Sequence, residues 1–369
     1  MTMKKTKVVF LTNYWKGCGG GVDKTVIKIA HYFSRHQQND VKVIYRIGKD
    51  EQNYGLNNNK IAFAFKAYNI LRKEQPNVMH VQGGWFTLLP AILFKYFNHV
   101  PILYLFHTSF TSSIPWYKRM AYNFLLNRCD VICFVSQYHL NNIKNVGKIK
   151  FKVKTAVIVS GADKEEVTEQ EIIQFKKEFN LSNANPIVLG LGLTFLKNKA
   201  EGAKLLITAI SKLKAIYPGI RLVLTRDGPH LEELRSYVKK VGLTDYVVFT
   251  GTIPNSWVAL HSCDIYAQIT IGESLGLGAL EAMSIGKPVI VSSIGGMKDV
   301  ITDGYNGIIV DLEVEQIVNA IRKIKENKQL FDSISRNGIL TIENNYTWKR
   351  VADKYLNLIN EITMNEGGE

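Results

Sequence analysis

Twelve short apolar runs, each four to six residues long, recur along the 369-residue chain with helix-patterned stretches between them. The first six cover residues 8–11, 41–45, 78–81, 102–106, 131–135 and 156–160. The second six cover 187–191, 222–225, 247–250, 264–269, 288–292 and 307–310. Strands that alternate singly with helices pair in parallel, because each crossover helix returns the chain to the same end of the sheet. The pattern predicts an α/β chain with two doubly wound parallel sheets, and 46% apolar residues suffice for two cores. The signal is weakest over 161–186, so the expected domains are 1–163 and 164–345. A helical tail, 346–369, places Trp348, Val351, Tyr355, Leu356 and Ile359 on or near one side. Thr168 and Glu171 have capping-box spacing at the start of the second domain.

No apolar stretch reaches spanning length: the longest, 85–106, is broken by Pro90, Lys95, Asn98, His99 and Pro101. The amino end runs straight into the first strand, too short and too abruptly ended for a secretory signal. Cys18, Cys129, Cys133 and Cys263 are scattered, which fits reduced thiols in a cytoplasmic protein and neither a disulfide framework nor a zinc site. The eight histidines form no metal-binding cluster, and neither metal nor cofactor is expected. Charge is lopsided. Residues 1–163 carry 23 basic and 7 acidic side chains, whereas the remainder carries 23 and 25. The first half therefore calls for an anionic neighbour. Nucleic acid is not expected, since no nucleic-acid-binding signature accompanies the charge.

Residues 271–310 concentrate the chemistry. Glu273 and Glu281 lie eight positions apart, and Glu273 precedes Ser274-Leu275-Gly276-Leu277, a loop that opens a helix over about 275–285. A helix that starts on small residues at the carboxyl end of a parallel strand presents free N–H groups and a positive dipole end, which suit an anion. Glu281 sits among Leu277, Leu280, Ala282 and Met283, where a carboxylate needs a partner such as the vicinal hydroxyls of a ribose.

This segment resembles the family-4 glycosyltransferases, retaining enzymes of the GT-B fold, in its glutamate pair, in Gly286-Lys287-Pro288-Val289, in Gly295-Gly296 and in the turn Asp303-Gly304-Tyr305-Asn306-Gly307. The resemblance implies two Rossmann-like domains facing a cleft, the second holding a nucleotide diphosphate sugar, UDP favoured, and the first an acceptor; the basic excess of the first half, and that alone, points to a lipid-linked glycan or glycolipid acceptor at the inner membrane face. The resemblance implies that Glu273 contacts sugar hydroxyls, Glu281 the ribose, and the Leu275–Leu277 backbone the diphosphate and sugar. It also implies metal-independent hexosyl transfer, with surface glycan or glycolipid synthesis as the setting.

In the first half, a loop with Gly17, Gly19, Gly20 and Gly21 follows the first strand, then a helix from about Lys24. A tight turn explains these glycines as well as a ligand does; the resemblance assigns Gly20 and Gly21 to the donor side. His107, ahead of Thr108, ends the fourth strand-like run, where open α/β sheets bind ligands. The resemblance makes it a contact to the transferred sugar, while His80 and Ser136 take scaffold positions. Gly161-Ala162-Asp163 resembles the family's hinge. Trp116, Tyr117, Lys118, Arg119, Met120, Tyr122, Phe124 and Leu125 mix basic and apolar side chains, as a helix on an anionic membrane face does and as an ordinary core-packed helix does too.

The family's diphosphate-neutralising Arg and Lys are not at their usual places. Anchoring on Gly202 puts Glu201 where Lys belongs and Leu193 near the Arg, leaving Lys197, Lys199 and Arg226 as replacements. His107, Glu273 and Lys199 form the expected catalytic set. A chain lacking such a cation would be a non-catalytic partner of another glycosyltransferase. A dinucleotide oxidoreductase fits worse, because the first glycine loop lacks the fingerprint spacing and Arg46 follows the second strand where an acid would be needed.

Overall fold

The computed structural model describes residues 6–17, 20–35, 39–56, 59–107, 109–110 and 112–364. Cys18, Gly19 and Thr108 lie outside the described residues. The chain divides into two compact units, one made of Met1–Gly161 with Trp348–Glu369 and the other of Ala162–Thr347.

In the first unit the strands are β1 (Thr6–Tyr14), β2 (Asn39–Ile47), β3 (Tyr54–Gly55), β4 (Val78–Gln82), β5 (Ile102–Phe106), β6 (Val131–Phe134) and β7 (Lys154–Val157). They form one parallel sheet in the order β3-β2-β1-β4-β5-β6-β7. The helices between them are α1 (Gly21–Arg35), α2 (Lys60–Glu74), α3 (Trp85–Asn98), α4 (Trp116–Leu126) and α5 (Gln137–Asn145). β4 and β5 are buried at every position, as strands covered on both faces must be.

The second unit contains α6 (Glu169–Glu178), β8 (Ile187–Leu191), α7 (Lys197–Leu213), β9 (Arg221–Thr225), α8 (Leu231–Lys240), β10 (Val247–Gly251) and α9 (Ser256–Ser262). After these come β11 (Ile265–Gln268), α10 (Leu277–Ser284), β12 (Val289–Ser292), β13 (Ile308–Val310), α11 (Val314–Glu326) and α12 (Lys328–Asn345). Its parallel sheet runs β10-β9-β8-β11-β12-β13. α13 (Trp348–Met364) packs against α1 in the first unit.

Strand order reverses between β1 and β4 in one sheet and between β8 and β11 in the other. Carboxyl ends at such a reversal leave a crevice, because the flanking crossovers depart in opposite directions. The glycine loop follows β1, and the loop carrying Glu273 follows β11.

Several expected boundaries move for local reasons. α1 begins at Gly21 because the Asp23 carboxylate reaches back to accept the Gly20 N–H at 2.6 Å. α10 begins at Leu277, since Gly276 has φ +109° and cannot be helical. β7 covers 154–157 instead of 156–160, in register with the four residues of β6, and the pairing ends where Ile158 N–H donates to Phe134 O at 2.8 Å. The two-residue edge strand β3 has no apolar run to announce it. Cys129 and Cys133 span the passage from α4 into β6, and with Cys263 they are free, buried thiols. Burial pushes Cys263 up to about 12. The capping box forms with both arms: Glu171 N–H donates to Thr168 Oγ1, and Thr168 N–H donates to Glu171 Oε2 at 2.9 Å. Gly161 lies against Trp348, where a Cβ would come within 2.8 Å of the indole. Ala162 N–H donates to the Tyr346 carbonyl at 2.8 Å. Tyr346 itself closes α12, which is why the tail helix starts at Trp348.

Candidate functional site

The site in the second unit is assembled by α7, the end of β11 and the loop into α10. The first turns of α7 dock on residues 269–272. Gly202 lies so close that a Cβ would sit 1.9 Å from the Ile269 carbonyl oxygen, so no larger residue permits this approach. Ile271 N–H donates to Asn198 O at 3.1 Å, and the Asn198 amide donates to Gly272 O. This docking brings the Lys199 ammonium to 2.5 Å from Glu273 Oε1, with both side chains less than one-fifth exposed. Gly296 N–H donates to the Glu273 carbonyl at 3.1 Å, so the Gly295-Gly296 loop after β12 clamps the same residue's backbone. Gly295 adopts φ +130°, which favours glycine.

Of the three candidate cations, Lys199 is the one placed beside Glu273. Lys197 is the exposed first residue of α7. Arg226 turns its guanidinium over the Phe195 ring, 4.4 Å from the centroid. Leu193 is core, packed beneath Gly190, and Glu201 accepts from Lys204 at 3.0 Å. Glu281 lies inside α10 and is 6% exposed, whereas Ser274 is half-buried and Leu275 buried. Tyr266 stands near both carboxylates: burial first, then the Glu273 and Glu281 charges, push its phenol well above the ordinary range.

Other motif residues are structural. Lys287 donates to His261 O at 2.9 Å and Cys263 O at 2.7 Å, satisfying carbonyls at the end of α9. Asn306 is buried and ties the 303–307 turn together through Thr302 N–H at 2.8 Å, Val300 O at 3.1 Å and Thr341 Oγ1 at 3.0 Å.

In the first unit, His107 stands just past β5, and its Nε2 shares a hydrogen with Gln82 Oε1 at the end of β4. Burial, aided by His139 and His80, holds its pKa down at about 3, so the imidazole is neutral at pH 7. His80 is fully buried, stacked on Phe10 at 4.6 Å and edge-on to Tyr355 of α13 at 5.5 Å. Ser136 caps α5, accepting from His139 N–H at 3.0 Å. Gly20 precedes α1 and Gly21 is its first residue. Gly17 adopts φ +91°, with open space where a Cβ would be.

Among the described residues no group of three or more His, Cys, Asp or Glu side chains could hold a metal ion, and no helix is long and apolar enough to cross a membrane.

Residues 173–341 match the family described as glycosyl transferases group 1, and residues 19–166 match glycosyltransferase family 4. The Anabaena HepE structure in complex with UDP and glucose superposes with a TM-score of 0.80, covering 96% of this chain and 100% of that one at 18% identity. The chain is a GT-B fold protein related to the group 1 and family 4 glycosyltransferases. Among curated relatives of this GT-B protein, the Rhizobium meliloti lipopolysaccharide core biosynthesis glycosyltransferase LpsD is 31% identical over 47% of this chain and 48% of its own. The alpha-monoglucosyldiacylglycerol synthase of Streptococcus pneumoniae is 21% identical over 66% of this chain and 58% of its own. The chain thus spans about half the length of these relatives.

Proposed function

We propose that this chain is a retaining hexosyltransferase that moves a sugar from a nucleoside diphosphate sugar, UDP-sugar favoured, to a glycan or lipid-linked acceptor. The observation that carries the reading is the Lys199–Glu273 pair at the mouth of α10, the helix that also carries the buried Glu281. The second unit is the donor domain. The α10 opening and Lys199 receive the diphosphate, Leu275–Leu277 line it with backbone, Glu281 takes the ribose, and Glu273 faces the sugar hydroxyls. The first unit is the acceptor domain, with neutral His107 as a polar contact to the sugar. Gly20, Gly21, Lys197, Arg226 and Ser274 contribute to the donor side. In the chemical step the departing phosphate accepts the acceptor's proton on the same sugar face, so no side-chain base is required and Lys199 stabilises the charge left on the diphosphate. The purified chain is expected to turn over UDP-glucose in the presence of EDTA. Lys199→Ala is expected to lower kcat about a hundredfold or more. Binding of UDP without turnover by the wild type would point instead to a non-catalytic partner subunit.

The proposed acceptor side lies against an anionic membrane face. α4 packs Tyr122, Leu125 and buried Leu126 against the core, yet Trp116, Tyr117, Met120 and Phe124 on the same helix remain 55–66% exposed, a second apolar surface that the core does not take up. Tyr96 and Phe97 of α3 and Phe65 of α2 are exposed as well. Between Lys60 and Lys154 there are thirteen basic and two acidic residues. Both acids are engaged inside the unit: Glu74 takes Lys7 Nζ at 3.2 Å, and Asp130 takes Lys95. Lys95 and Lys154 are themselves paired, with Asp130 and Glu361, but the cations still far outnumber the acids of this stretch, and exposed aromatic rings within such a basic excess suit an anionic lipid interface. The chain is expected to sediment with phosphatidylglycerol vesicles at low salt and to stay in solution with phosphatidylcholine. Equal behaviour on both lipids would remove this part.

A further inference from the structure

The end of β11 carries two buried polar side chains, Tyr266 and Gln268, both on the same face of the strand. Tyr266 Oη donates to Gln268 Oε1 at 3.2 Å, and Gln268 Nε2 donates to Glu273 Oε2 at 2.8 Å. The other Glu273 oxygen holds Lys199. The result is a continuous series, Tyr266–Gln268–Glu273–Lys199, beneath the opening of α10. The glycines of the loop mark where it passes: a Cβ at Gly276 would lie 1.8 Å from Gln268 Nε2, and one at Gly278 would lie 2.4 Å from Tyr266 Oη. The series also fixes the amide's direction. A flipped Gln268 would turn its oxygen onto the Glu273 carboxylate, two acceptors with no hydrogen between them.

We infer that Gln268 is a positioning residue for Glu273, the anchor that keeps this carboxylate in place when a diphosphate takes over the Lys199 charge. The inference rests on the donor reading above. Lys199 carries one ammonium, for which Glu273 and an arriving diphosphate compete. When Lys199 turns to the diphosphate, Glu273 Oε1 becomes available, and Gln268, itself held by Tyr266, keeps that oxygen where the sugar hydroxyls arrive. Sugar recognition then depends on Gln268, while recognition of the diphosphate does not.

Calorimetric titration with UDP and with UDP-glucose separates the two. Gln268→Leu is expected to leave UDP affinity within about twofold of wild type and to weaken UDP-glucose about tenfold, the cost of freeing a carboxylate from its hydrogen bond. Gln268→Glu keeps the shape but sets carboxylate against carboxylate. It is expected to bind UDP-glucose poorly at pH 8 and to recover at pH 5, where the pair shares a proton. Equal losses for UDP and UDP-glucose in both variants, with no recovery in acid, would overturn the inference while leaving the donor reading intact. A wild-type chain that binds no UDP would remove the donor reading and this inference with it.

Discussion

His80 provides a sharp test of how the first unit is held together. It lies fully buried between Phe10 of β1 and Tyr355 of α13, and neither ring nitrogen has a hydrogen-bond partner among the described residues. Burial holds its pKa down at about 3, against an ordinary value of about 6.5. A base whose folded value is depressed contributes stability that is complete above about pH 6.5 and is lost as the pH falls from there toward 3, because only the unfolded chain takes up the proton. At pH 5 the unfolded imidazole is protonated about thirty to one while the folded one stays neutral. Relative to pH 8, the unit therefore loses a factor of about thirty, or about 2 kcal/mol. In hydrogen exchange of the β4 and α13 amides, corrected for the intrinsic effect of pH, the His80 share of the lost protection is about thirtyfold, on top of what His107 contributes. His80→Phe keeps an aromatic ring against Phe10 and removes the titration, so its drop is expected to be about thirtyfold smaller than wild type's. His107, held down chiefly by its own burial, stays neutral in the folded state at pH 5 in both proteins, so its contribution cancels between them. Equal drops in the two proteins would refute the reasoning.

Gly202→Ala places a methyl 1.9 Å from the Ile269 carbonyl, so α7 must back away from the loop it positions. It is expected to cost about 1–3 kcal/mol in urea unfolding, with UDP-glucose affinity falling because Lys199 moves. Lys287→Met removes the ammonium from two carbonyls at the end of α9. It is expected to lower unfolding stability by about 1–3 kcal/mol while UDP affinity stays unchanged.

Most of the architecture was legible because fully buried parallel strands must be short apolar runs, and the described sheets contain all twelve that the sequence announces. β3 escaped because two residues at an edge bury too little to leave a pattern. The two glutamates stood out through their glycine-rich surroundings, yet the sequence, which put Lys199 in the catalytic set and Lys197 and Arg226 on the donor side, held no feature that decided which cation replaces the family pair. What separates them is tertiary: Gly202 lets α7 press against Ile269, and that docking turns position 199 toward Glu273. Gln268 was passed over for the opposite reason, since within 264–269 it reads as one residue of an apolar strand. A glutamine in an otherwise apolar run, one strand repeat after a tyrosine and just ahead of a glycine loop, is the signal that could have found it. On α4 the mixture of aromatic and basic residues fits a core-packed helix and a surface helix equally well, and only the exposure of Trp116, Tyr117, Met120 and Phe124 favours the second.

The central claim is that the second unit grips a nucleoside diphosphate sugar at the opening of α10, with Glu281 on the ribose. Titrating UDP into wild type and Glu281→Ala tests it most directly. Saturable binding by wild type, weakened at least tenfold in the variant, is the predicted result; undetectable binding by wild type, or equal affinity in the two proteins, would contradict it.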